Sequence, residues 1–495
     1  MLTKSKNFSL SLYVNVLLWF FPISFIIGSL FVTVNFYLFL ILCIFFIKEK
    51  KLKFEYSYTN IILISFFLLI IISTFNNLEL IKYKSFFKSI LLLRFAVLYI
   101  VMDILIKNNE IDLKKFFISC LFCSSFLSLD VIIQYVFGYD LFGYTPFQGR
   151  ITGFFGAEGV AGDYIRKYSL ISLFGLLFLF KEENLKRKIM FSFLIIFQGL
   201  AIFLASNRMS VPTFILGLFL LFLFYKRKRL TVVFSFIILA SISLILIKND
   251  IDLNNKYKSF TSRFVFDKSI NNVEKKSDGT LEKPELYKKI KIFNKYSYTI
   301  DKHSHHALIY LTALKVWKTS PIIGTGYKSF MQECIELSKK DAITTCSTHV
   351  HNYHFQILQI TGILGFVLIS LFIFIILFKV FLRLKNKVLD NDDYAFYFIP
   401  IILTLLVEIW PIKSTGNLFS TWNGTYFWMI TALSGIVVKS PKQKSLVLTN
   451  FNKKYLITIF TIILLTSLSF KGAINYLYLN KYFPSFFKTG RSIDK

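Results

Sequence analysis

Long apolar runs recur along the whole chain, and they limit its fold more than any other feature. A helix needs roughly 20 apolar residues to cross a hydrocarbon core about 30 Å thick. Apolar residues make up 55% of the chain, which agrees with many such spans. The sequence therefore predicts an all-α polytopic membrane protein.

The apolar runs define about 12–13 transmembrane helices if the N-terminus is cytoplasmic. The predicted spans are, by residue number, 10–28, 30–47, 59–75, 86–106, 115–137, 167–180, 189–205, 209–225, 230–247, 355–380, 395–411, 424–438 and 455–471. The first run is too long, and followed too closely by the second, to be a cleaved signal peptide. Short Lys and Arg clusters between the runs then fall on one side, as the positive-inside rule requires. A thirteenth span leaves the basic C-terminal tail outside, so the pattern supports twelve spans more firmly than the last.

The charge balance is strongly basic, with 58 Lys and Arg against 28 Asp and Glu and a formal net charge of +30. Such a balance can indicate nucleic-acid binding. Here many of the cations fall in the cytoplasmic clusters that the topology already requires. We therefore expect the lipid bilayer as a partner and no nucleic acid.

The predicted path divides the chain into three parts. Residues 1–247 form an N-terminal transmembrane bundle of about nine helices, residues 248–354 a long loop subdomain outside the membrane, and residues 355–495 the C-terminal transmembrane helices. The first half of the loop is Lys- and Asn-rich with little periodicity, which predicts a mobile segment at about residues 249–297. The second half regains apolar periodicity. ALIYLTALKVW is typical of an amphipathic helix, and SPIIGTG would end it.

The five cysteines divide between the apolar spans and the outside loop. Cys43, Cys120 and Cys123 lie in apolar runs, where a thiol packs as a small hydrophobic group. Cys334 and Cys346 lie in the outside loop, and an oxidising compartment favours a disulfide between them. Such a bridge would restrict the chain just before a cluster of histidines.

All six histidines lie between residues 303 and 354, beside the start of an apolar run. The stretch HVHNYHFQILQITGILG places His351 directly before Asn352, a candidate N-cap of the helix that enters the membrane. There a neutral imidazole can act as a general base, and the helix N-terminus favours an anionic group such as phosphate. An ordinary interfacial histidine is the alternative. A metal site with His349 and His354 is another, but no carboxylate lies at ligand spacing, and we expect no metal.

Two other outside segments carry candidate residues. The SNR turn places Arg208 between two apolar runs, where it can clamp phosphate oxygens or simply extend its side chain to the interface. GYDLFGYTPFQGRITGFFGAEGVAGDYIRKYSL combines many glycines with Arg150, Glu158, Asp163 and Arg166 just outside a span. The glycines can mark turns alone, but several charges beside lipid suggest a site for a polar headgroup or a sugar.

Two charged residues interrupt the apolar runs themselves, Arg94 in SILLLRFAVLYI and Glu408 in LLVEIWPIKSTG. Charges inside the membrane are functional candidates by default because they are costly to bury. Glu408 lies about one turn from the predicted outer end of its span and can be an interfacial residue. Arg94 can equally belong to a buried structural ion pair.

Four segments, in this order along the chain, resemble the O-antigen ligase and O-antigen polymerase superfamily of bacterial inner membranes. FQGRITGFFGAEGVAGDYI resembles the outside motif after the fifth span, and LASNRMSVPTFILG the serine–arginine turn, here with Asn207 between Ser206 and Arg208. HHALIYLTALKVWKTSPIIGTGYKSF is similar to the helix and Pro-x-x-Gly-x-Gly turn that opens the family's conserved region. HNYHFQILQITGILG matches the family's His-Asn, nine-residue, Gly-x-x-Gly pattern in full. The resemblance implies a GT-C-like architecture.

The resemblance also implies an activity. It implies metal-independent, inverting glycosyl transfer on the periplasmic side of the inner membrane, without a cofactor. The donor would be a glycan on undecaprenyl pyrophosphate, and the acceptor lipid A-core or another glycan. By position, His351 would deprotonate the acceptor hydroxyl and Arg208 would hold the donor pyrophosphate. Cationic clamps suit this reaction because pyrophosphate leaves as a stabilised anion.

The chain departs from the family at one point. Many members have a second essential arginine at the start of the long-loop helix, but this chain has HSHHALIY there and no arginine matches. His306 is the nearest candidate, and Arg263, Arg150 or Arg166 could provide the contact instead. With Glu158 and Asn352, these form the set of candidate substrate-binding residues.

Within the superfamily the leading hypothesis is a ligase that transfers O-antigen to lipid A-core. A polymerase that extends the glycan on its carrier is the nearest alternative, and an enzyme that glycosylates a protein is another. From a different class, a flippase or transporter for lipid-linked glycans would explain the many spans. It would not need the His351 and Arg208 pattern, and the chain has no obvious internal repeat of the kind that many transporters show.

Overall fold

The structure is a computed structural model. It describes residues 3–52, 57–78, 83–180, 182, 184–207, 209–261, 290–293, 296–298, 305–339, 344–385, 395–414 and 416–435. The N-terminal part is a series of helices: α1 Thr3–Ile27, α2 Ser29–Glu49, α3 Tyr58–Asn76, α4 Tyr83–Ile90, α5 Leu93–Lys107, α6 Leu113–Phe137, α7 Ala161–Leu179, α8 Leu185–Leu204, α9 Ser210–Phe224 and α10 Arg229–Asn249.

The outside loop and the C-terminal part follow. The elements are α11 Ile251–Thr261, β1 Ile290–Phe293, β2 Tyr296–Tyr298, α12 His305–Thr319, α13 Phe330–Ser338, α14 Tyr353–Lys385, α15 Ala395–Glu408 and α16 Thr421–Leu433. The two strands pair as a short antiparallel hairpin, which is a small exception to the all-α prediction. The amphipathic helix predicted from ALIYLTALKVW is α12, and the SPIIGTG segment ends it, as expected.

Eight segments of the described chain are long and apolar enough to cross a membrane. They are Leu10–Ile27, Ser29–Glu49, Tyr58–Asn76, Tyr83–Lys107, Leu113–Phe137, Leu185–Leu204, Lys226–Asn249 and Tyr353–Leu382. Shorter apolar helices at Ser210–Phe224 and Phe396–Glu408 match two further predicted spans. The prediction of an all-α polytopic membrane protein is therefore confirmed. The predicted span 455–471 lies outside the described residues.

The span predicted at 86–106 corresponds to the apolar segment Tyr83–Lys107, in which α4 and α5 follow one another. One predicted boundary was wrong in an informative way. The outside loop predicted at 138–166 ends early, because α7 begins at Ala161 and carries Asp163, Arg166 and Lys167 in its first turns. Hydropathy places such charges outside a span, whereas here the opposite charges are paired inside the protein and the helix continues through them.

α7 lies at the centre of the bundle and contacts α6, α8, α9 and α15. Its residues from Tyr164 to Leu177 are all buried, so it faces protein rather than lipid on every side. At Gly175 the backbones of α6 and α7 approach closely, since a Cβ there would lie 2.4 Å from the carbonyl oxygen of Phe117. Small residues at such crossings let membrane helices pack without a gap.

The helix α14 is interrupted at Gly362, which has φ 61° and ψ −162°. The turn at 321–326 inserts at this break and supplies the missing backbone partners. The amide of Ile363 donates to the carbonyl of Pro321 (2.9 Å), and the amide of Thr325 donates to the carbonyl of Gln359 (2.9 Å). The turn at 321–326 and α14 are therefore joined by backbone hydrogen bonds at the break.

Two glycines make this insertion possible. A Cβ on Gly362 would lie 2.3 Å from the carbonyl oxygen of Ile322, and a Cβ on Gly324 would lie 2.4 Å from the carbonyl group of Ile360. Both glycines also have positive φ, which disfavours other residues. The Pro-x-x-Gly-x-Gly turn and the Gly-x-x-Gly pattern are therefore two halves of one contact.

Candidate functional site

His351 lies at the outer end of α14, in the segment that joins α13 to this helix. Its backbone has φ 60°, a left-handed conformation that is uncommon for residues with a β-carbon. The hydroxyl of Tyr310 on α12 donates to the carbonyl of His351 (3.3 Å). The preceding Val350 is fully buried against the apolar side of α12. The hydrogen bond from Tyr310 and the burial of Val350 thus hold the His351 backbone in place.

The His351 imidazole meets two other histidines. Its Nε2 lies 3.3 Å from the hydroxyl of Ser347. The ring centroids of His349 and His306 lie 3.9 and 5.0 Å from that of His351. Burial lowers the pKa of His349 below its usual value, and the nearby His306 lowers it further. His349 is therefore a neutral neighbour of His351 at neutral pH.

No group of three or more His, Cys, Asp or Glu side chains in the described ranges has an arrangement that could hold a metal ion. His303 lies outside the described residues. His354 is also separate from the cluster, because its Nε2 lies 2.7 Å from the carbonyl of Ile409 and ties α14 to α15.

Asn352 caps α14, as the sequence predicted. Its Oδ1 accepts hydrogen bonds from the amides of His354 (3.0 Å) and Phe355 (3.2 Å). Its Nδ2 donates to the carbonyls of Pro411 (2.7 Å) and Lys413 (3.2 Å). The side chain is 1% exposed, so both ends of the amide are used within the protein. Asn352 therefore joins the His351 backbone to the loop after α15.

A disulfide between Cys334 and Cys346 lies in the segment before His351, with an S–S distance of 2.01 Å. It connects α13 to the chain that leads into the histidine cluster. Cys43, Cys120 and Cys123 are free and buried.

A buried network of charges lies below Asn352 in the bundle. Arg166 pairs with Glu408 and, at 2.6 Å, with Asp163. Lys167 pairs with Asp163 at 2.9 Å, and Lys413 with Glu408 at 2.7 Å. Apart from Asp163, these side chains are at most 5% exposed. Three cations face two carboxylates, so the network has a formal excess of one positive charge.

Lys413 in the loop after α15 and the first turn of α16 complete this network. Lys167 donates to Asn423 Oδ1 (2.7 Å) and lies 3.9 Å above the ring of Trp422. Burial lowers the pKa of Lys413 to about 8, and the neighbouring Arg166 lowers it as well. Glu408 was considered as an interfacial residue, but it is fully buried and holds two cations instead.

The turn with Ser206 and Asn207 packs against the start of α7. Asn207 Nδ2 donates to the carbonyl of Gly159 (3.3 Å). A Cβ on Gly162 would lie 3.2 Å from the Asn207 Cβ, so the two backbones are close. Ser206 has φ 52°, which makes the turn tight. Arg208 lies outside the described residues, but its neighbour Asn207 contacts the outer end of the helix that carries Asp163 and Arg166.

The remaining described candidates differ in their exposure. Arg150 and Glu158 are exposed on the loop before α7, and the Arg150 guanidinium lies beside Gly159. His306 is exposed on α12. Arg166 is buried, with both terminal nitrogens paired to carboxylates. Arg263 lies outside the described residues.

Lys413 and Lys167 belong to the network, but sequence analysis did not single them out. Lys413 lies five residues after Glu408, a charged residue within an apolar run. This short separation is the one local signal that could have indicated Lys413. Lys167 is the first residue of the predicted span 167–180. Its carboxylate partner Asp163 is four residues earlier, a spacing that is typical of helical ion pairs.

A family model described as O-Antigen ligase matches residues 191–370. The matched region contains the turn after α8, the inserted turn at 321–326 and the segment from His351 through the break in α14. It supports the O-antigen ligase and polymerase superfamily that the motifs indicated. No curated protein matches the chain.

Proposed function

We propose that this multi-pass membrane protein, whose central region matches the O-antigen ligase family, transfers O-antigen glycan from undecaprenyl pyrophosphate to lipid A-core. The reaction would take place at the periplasmic face of the bacterial inner membrane. The observation that carries the proposal is the position of His351, held in a left-handed conformation directly before the Asn352 cap at the outer end of α14. This is the arrangement expected of a fixed base beside a helix N-terminus.

In the proposed reaction His351 acts as the general base. Its imidazole takes the proton from a hydroxyl of the acceptor sugar as the oxygen attacks the anomeric carbon of the donor. The bond from that carbon to the pyrophosphate oxygen breaks, and the carrier pyrophosphate leaves with the electron pair. A single displacement of this kind inverts the anomeric centre. Because the leaving group is a stabilised anion, the reaction needs little acid assistance and no metal ion.

The cations near α7 would hold the developing negative charge. Arg208 is the proposed direct contact to pyrophosphate, since it follows a turn that packs on the start of α7. Arg166 has both terminal nitrogens engaged by carboxylates, and we assign it to positioning the network rather than to direct contact. The excess positive charge of the network would still favour an anion nearby.

The exposed candidates would contact other parts of the substrates. His306 lies 5.0 Å from His351, centroid to centroid, close enough to contact the same substrate group. Arg150 and Glu158 on the loop before α7 suit contacts with sugar hydroxyls or phosphate. Arg263 remains a candidate for a further phosphate contact.

The test is reconstitution of the purified protein in vesicles with lipid-linked glycan and a choice of acceptors. We expect His351→Ala and Arg208→Ala each to abolish transfer while the protein still inserts. Lys339→Ala is the matched control, because Lys339 is an exposed cation that pairs with Glu336 on the surface. Near-normal transfer by His351→Ala would remove the assigned base.

The same experiment distinguishes the ligase from its alternatives. Glycan attached to lipid A-core supports the ligase. Carrier-linked chains that grow longer would show a polymerase, and glycan carried across the vesicle membrane without transfer would show a transporter. A chelator should leave transfer unchanged, and inhibition that zinc reverses would contradict the metal-independent mechanism.

A further inference from the structure

The helix α11 is anchored at its start to the membrane bundle. Asp250 ends α10 in an extended conformation and caps α11, because its Oδ1 accepts hydrogen bonds from the amides of Asp252 (2.9 Å) and Leu253 (3.0 Å). Its Oδ2 accepts a hydrogen bond from the hydroxyl of Tyr135, near the end of α6 (2.9 Å). Leu253 is 2% exposed and belongs to the hydrophobic core. The first turn of α11 is therefore fixed to α6 and to the core.

Tyr257 lies about one turn after Leu253 and contacts the last turn of α8. Its ring stacks on the ring of Phe203, with the centroids 4.6 Å apart and the planes 8° apart. Its hydroxyl donates to the carbonyl of Phe203 (2.7 Å). The last four carbonyls of a helix have no partner further along that helix, so a hydroxyl from another element can satisfy one of them. Tyr257 therefore joins α11 to the end of α8.

The carbonyl of Phe203 also begins the turn that carries Arg208. The amide of Ser206 donates to the carbonyl of Phe203 (3.0 Å), and the amide of Ser210 donates to the carbonyl of Asn207 (3.0 Å). The first bond closes the chain just before Arg208, and the second bond spans it. One carbonyl therefore accepts both from α11 and from the turn, so the contact with α11 acts directly on the turn.

Lys256, the residue before Tyr257, contacts a second segment that carries an arginine. Its Nζ donates to the carbonyl of Gly149. Gly149 directly precedes Arg150 in a tight turn, in which the amide of Phe147 donates to the carbonyl of Arg150 (3.0 Å) and the amide of Arg150 donates back (2.9 Å). Neighbouring residues of α11 therefore hold the segments that carry two of the candidate arginines.

These two segments also meet each other at Gly159. A Cβ on Gly159 would lie 3.4 Å from Arg150 Nη1, so the guanidinium lies against this glycine. The carbonyl of Gly159 accepts a hydrogen bond from Asn207 Nδ2 (3.3 Å), and Asn207 directly precedes Arg208. The Arg150 guanidinium and the turn of Arg208 therefore contact the same residue.

We propose that α11 positions Arg150 and Arg208 to bind the two phosphates of the donor pyrophosphate, with Tyr257 and Lys256 as the positioning residues. This inference rests on the proposed function, since it assigns the donor to that site. Cations that are held in place before the ligand arrives lose less freedom on binding, which strengthens their contacts with phosphate oxygens. Arg150 then makes the second phosphate contact, in place of the arginine that is missing at the start of α12.

Hydrogen exchange tests the two contacts of α11 in full-length protein in detergent, without any substrate. Tyr257→Phe keeps the stacked ring and removes only the hydroxyl. We expect amides in residues 203–210 to exchange about fivefold faster, the loss of one hydrogen bond, and residues 145–152 to exchange as before. Lys256→Met removes the ammonium and should have the opposite pattern.

Tyr164→Phe is the matched control for Tyr257→Phe. The Tyr164 hydroxyl also donates to a backbone carbonyl, that of Pro22 (2.8 Å), but it joins α7 to α1. The loss of this bond should leave exchange unchanged in both segments. Faster exchange at residues 203–210 in Tyr257→Phe alone would therefore be due to the contact with Phe203.

Binding of the donor lipid tests what the contacts do for the arginines. Native mass spectrometry measures the binding of undecaprenyl pyrophosphate that carries no glycan. We expect Tyr257→Phe to weaken this binding about fivefold, with little change in the unfolding temperature. When Arg208→Ala is already present, Tyr257→Phe should have no further effect, because it acts through the turn of Arg208. In the transfer assay, Tyr257→Phe should raise the donor KM and leave the acceptor KM unchanged.

Three results would overturn the proposal. The first is unchanged exchange at residues 203–210 in Tyr257→Phe. The second is a loss of lipid binding by Tyr257→Phe that is just as large when Arg208→Ala is present. The third is a lack of undecaprenyl pyrophosphate binding by the unchanged protein. Failure of the proposed function would instead appear as a lack of glycan transfer by the unchanged protein, which neither the exchange nor the binding measurement uses.

Discussion

His351 combines a chemical role with an unfavourable backbone. A left-handed conformation costs a residue with a β-carbon about 1 kcal/mol, and glycine avoids this cost. The contacts of Tyr310 and Asn352 on either side keep the segment in place despite the strain. Backbone strain therefore lowers the stability of the folded protein at the residue that faces the proposed substrate.

The strain and the chemistry at His351 can be separated by two substitutions. We expect both His351→Ala and His351→Gly to lose transfer, since each removes the imidazole. The glycine variant should be more stable than the alanine variant by about 0.5–1 kcal/mol, because glycine accepts the φ of 60° freely. Thermal unfolding in detergent measures the difference. A glycine variant that is the less stable of the two would contradict the assigned strain.

Lys413 makes the charge network sensitive to pH. With its pKa lowered to about 8, Lys413 is charged at neutral pH and loses its proton as the pH rises above 8. We expect donor KM to rise over this range as the excess positive charge disappears. Lys413→Arg should keep the low KM up to pH 9, because arginine stays protonated. An identical pH profile in the two proteins would contradict this.

Unfolding of the protein cannot account for a rise in donor KM above pH 8. The unfolded chain holds the Lys413 proton until about pH 10.5, whereas the folded chain releases it near 8. Between these values the unfolded state binds more protons, so this group makes the folded protein more stable as the pH rises. A higher KM together with an unchanged or higher unfolding temperature at pH 9 is therefore the expected combination.

At the scale of elements, the contact between the turn at 321–326 and the break in α14 places the strictest requirements on the residues that form it. The helix alone cannot satisfy its own amides around Gly362, and the inserted turn provides the partners. α3 reinforces the contact, since the hydroxyl of Ser73 lies within hydrogen-bond distance of the carbonyls of Ile360 (2.8 Å) and Gly324 (3.1 Å). The glycines are needed both for their positive φ and for the close approach of the two backbones.

Gly362→Ala should destabilise the protein strongly, by several kcal/mol, because a methyl group there meets backbone that cannot move aside. Gly143→Ala is the matched control. Gly143 also has positive φ, at 85°, but a Cβ there would have open space around it, so only the backbone strain of about 1 kcal/mol is expected. Detergent-solubilised yield and unfolding temperature measure both. Equal losses of stability in the two variants would show that the close packing around Gly362 adds nothing to the cost of the substitution.

At the scale of the whole molecule, the buried charges connect distant parts of the chain. Arg166 and Glu408 are 242 residues apart in sequence, and Lys413 extends the link to the loop that Asn352 holds. Removing one partner of a buried ion pair leaves an uncompensated charge and costs about 3–5 kcal/mol. The network thus fixes α7, α15 and the His351 segment to one another.

Glu408→Gln should lower stability by an amount of this order and reduce transfer as well, since two cations lose their partner. Glu336→Gln removes an exposed pair with Lys339 and should change stability by less than about 1 kcal/mol. Unfolding temperatures of the two variants at the same pH test the expectation. A small effect of Glu408→Gln would mean that water or another group already compensates the charges.

Local sequence patterns predicted much of this architecture, but they did not indicate the contacts between residues that are far apart in the sequence. Apolar runs, the amphipathic pattern of α12 and the Asn352 cap depend on neighbours in sequence, and the structure agrees with each of them. The interior position of Arg166 depends on partners such as Glu408 that are far away in the chain, so hydropathy assigned Asp163 and Arg166 to an outside loop. Local patterns likewise did not indicate that the Pro-x-x-Gly-x-Gly turn inserts at the Gly-x-x-Gly pattern, although both motifs were recognised.

The shared hydrogen bonds at Gly362 have a consequence for how substrates reach the site. Lifting the outer segment away from the membrane domain would leave the amides of Ile363 and Leu364 without partners next to lipid, at a cost of several kcal/mol. The segment therefore cannot work as a hinged lid that opens at each turnover. Under the proposed function, donor and acceptor would therefore reach the site while the contact at Gly362 stays intact.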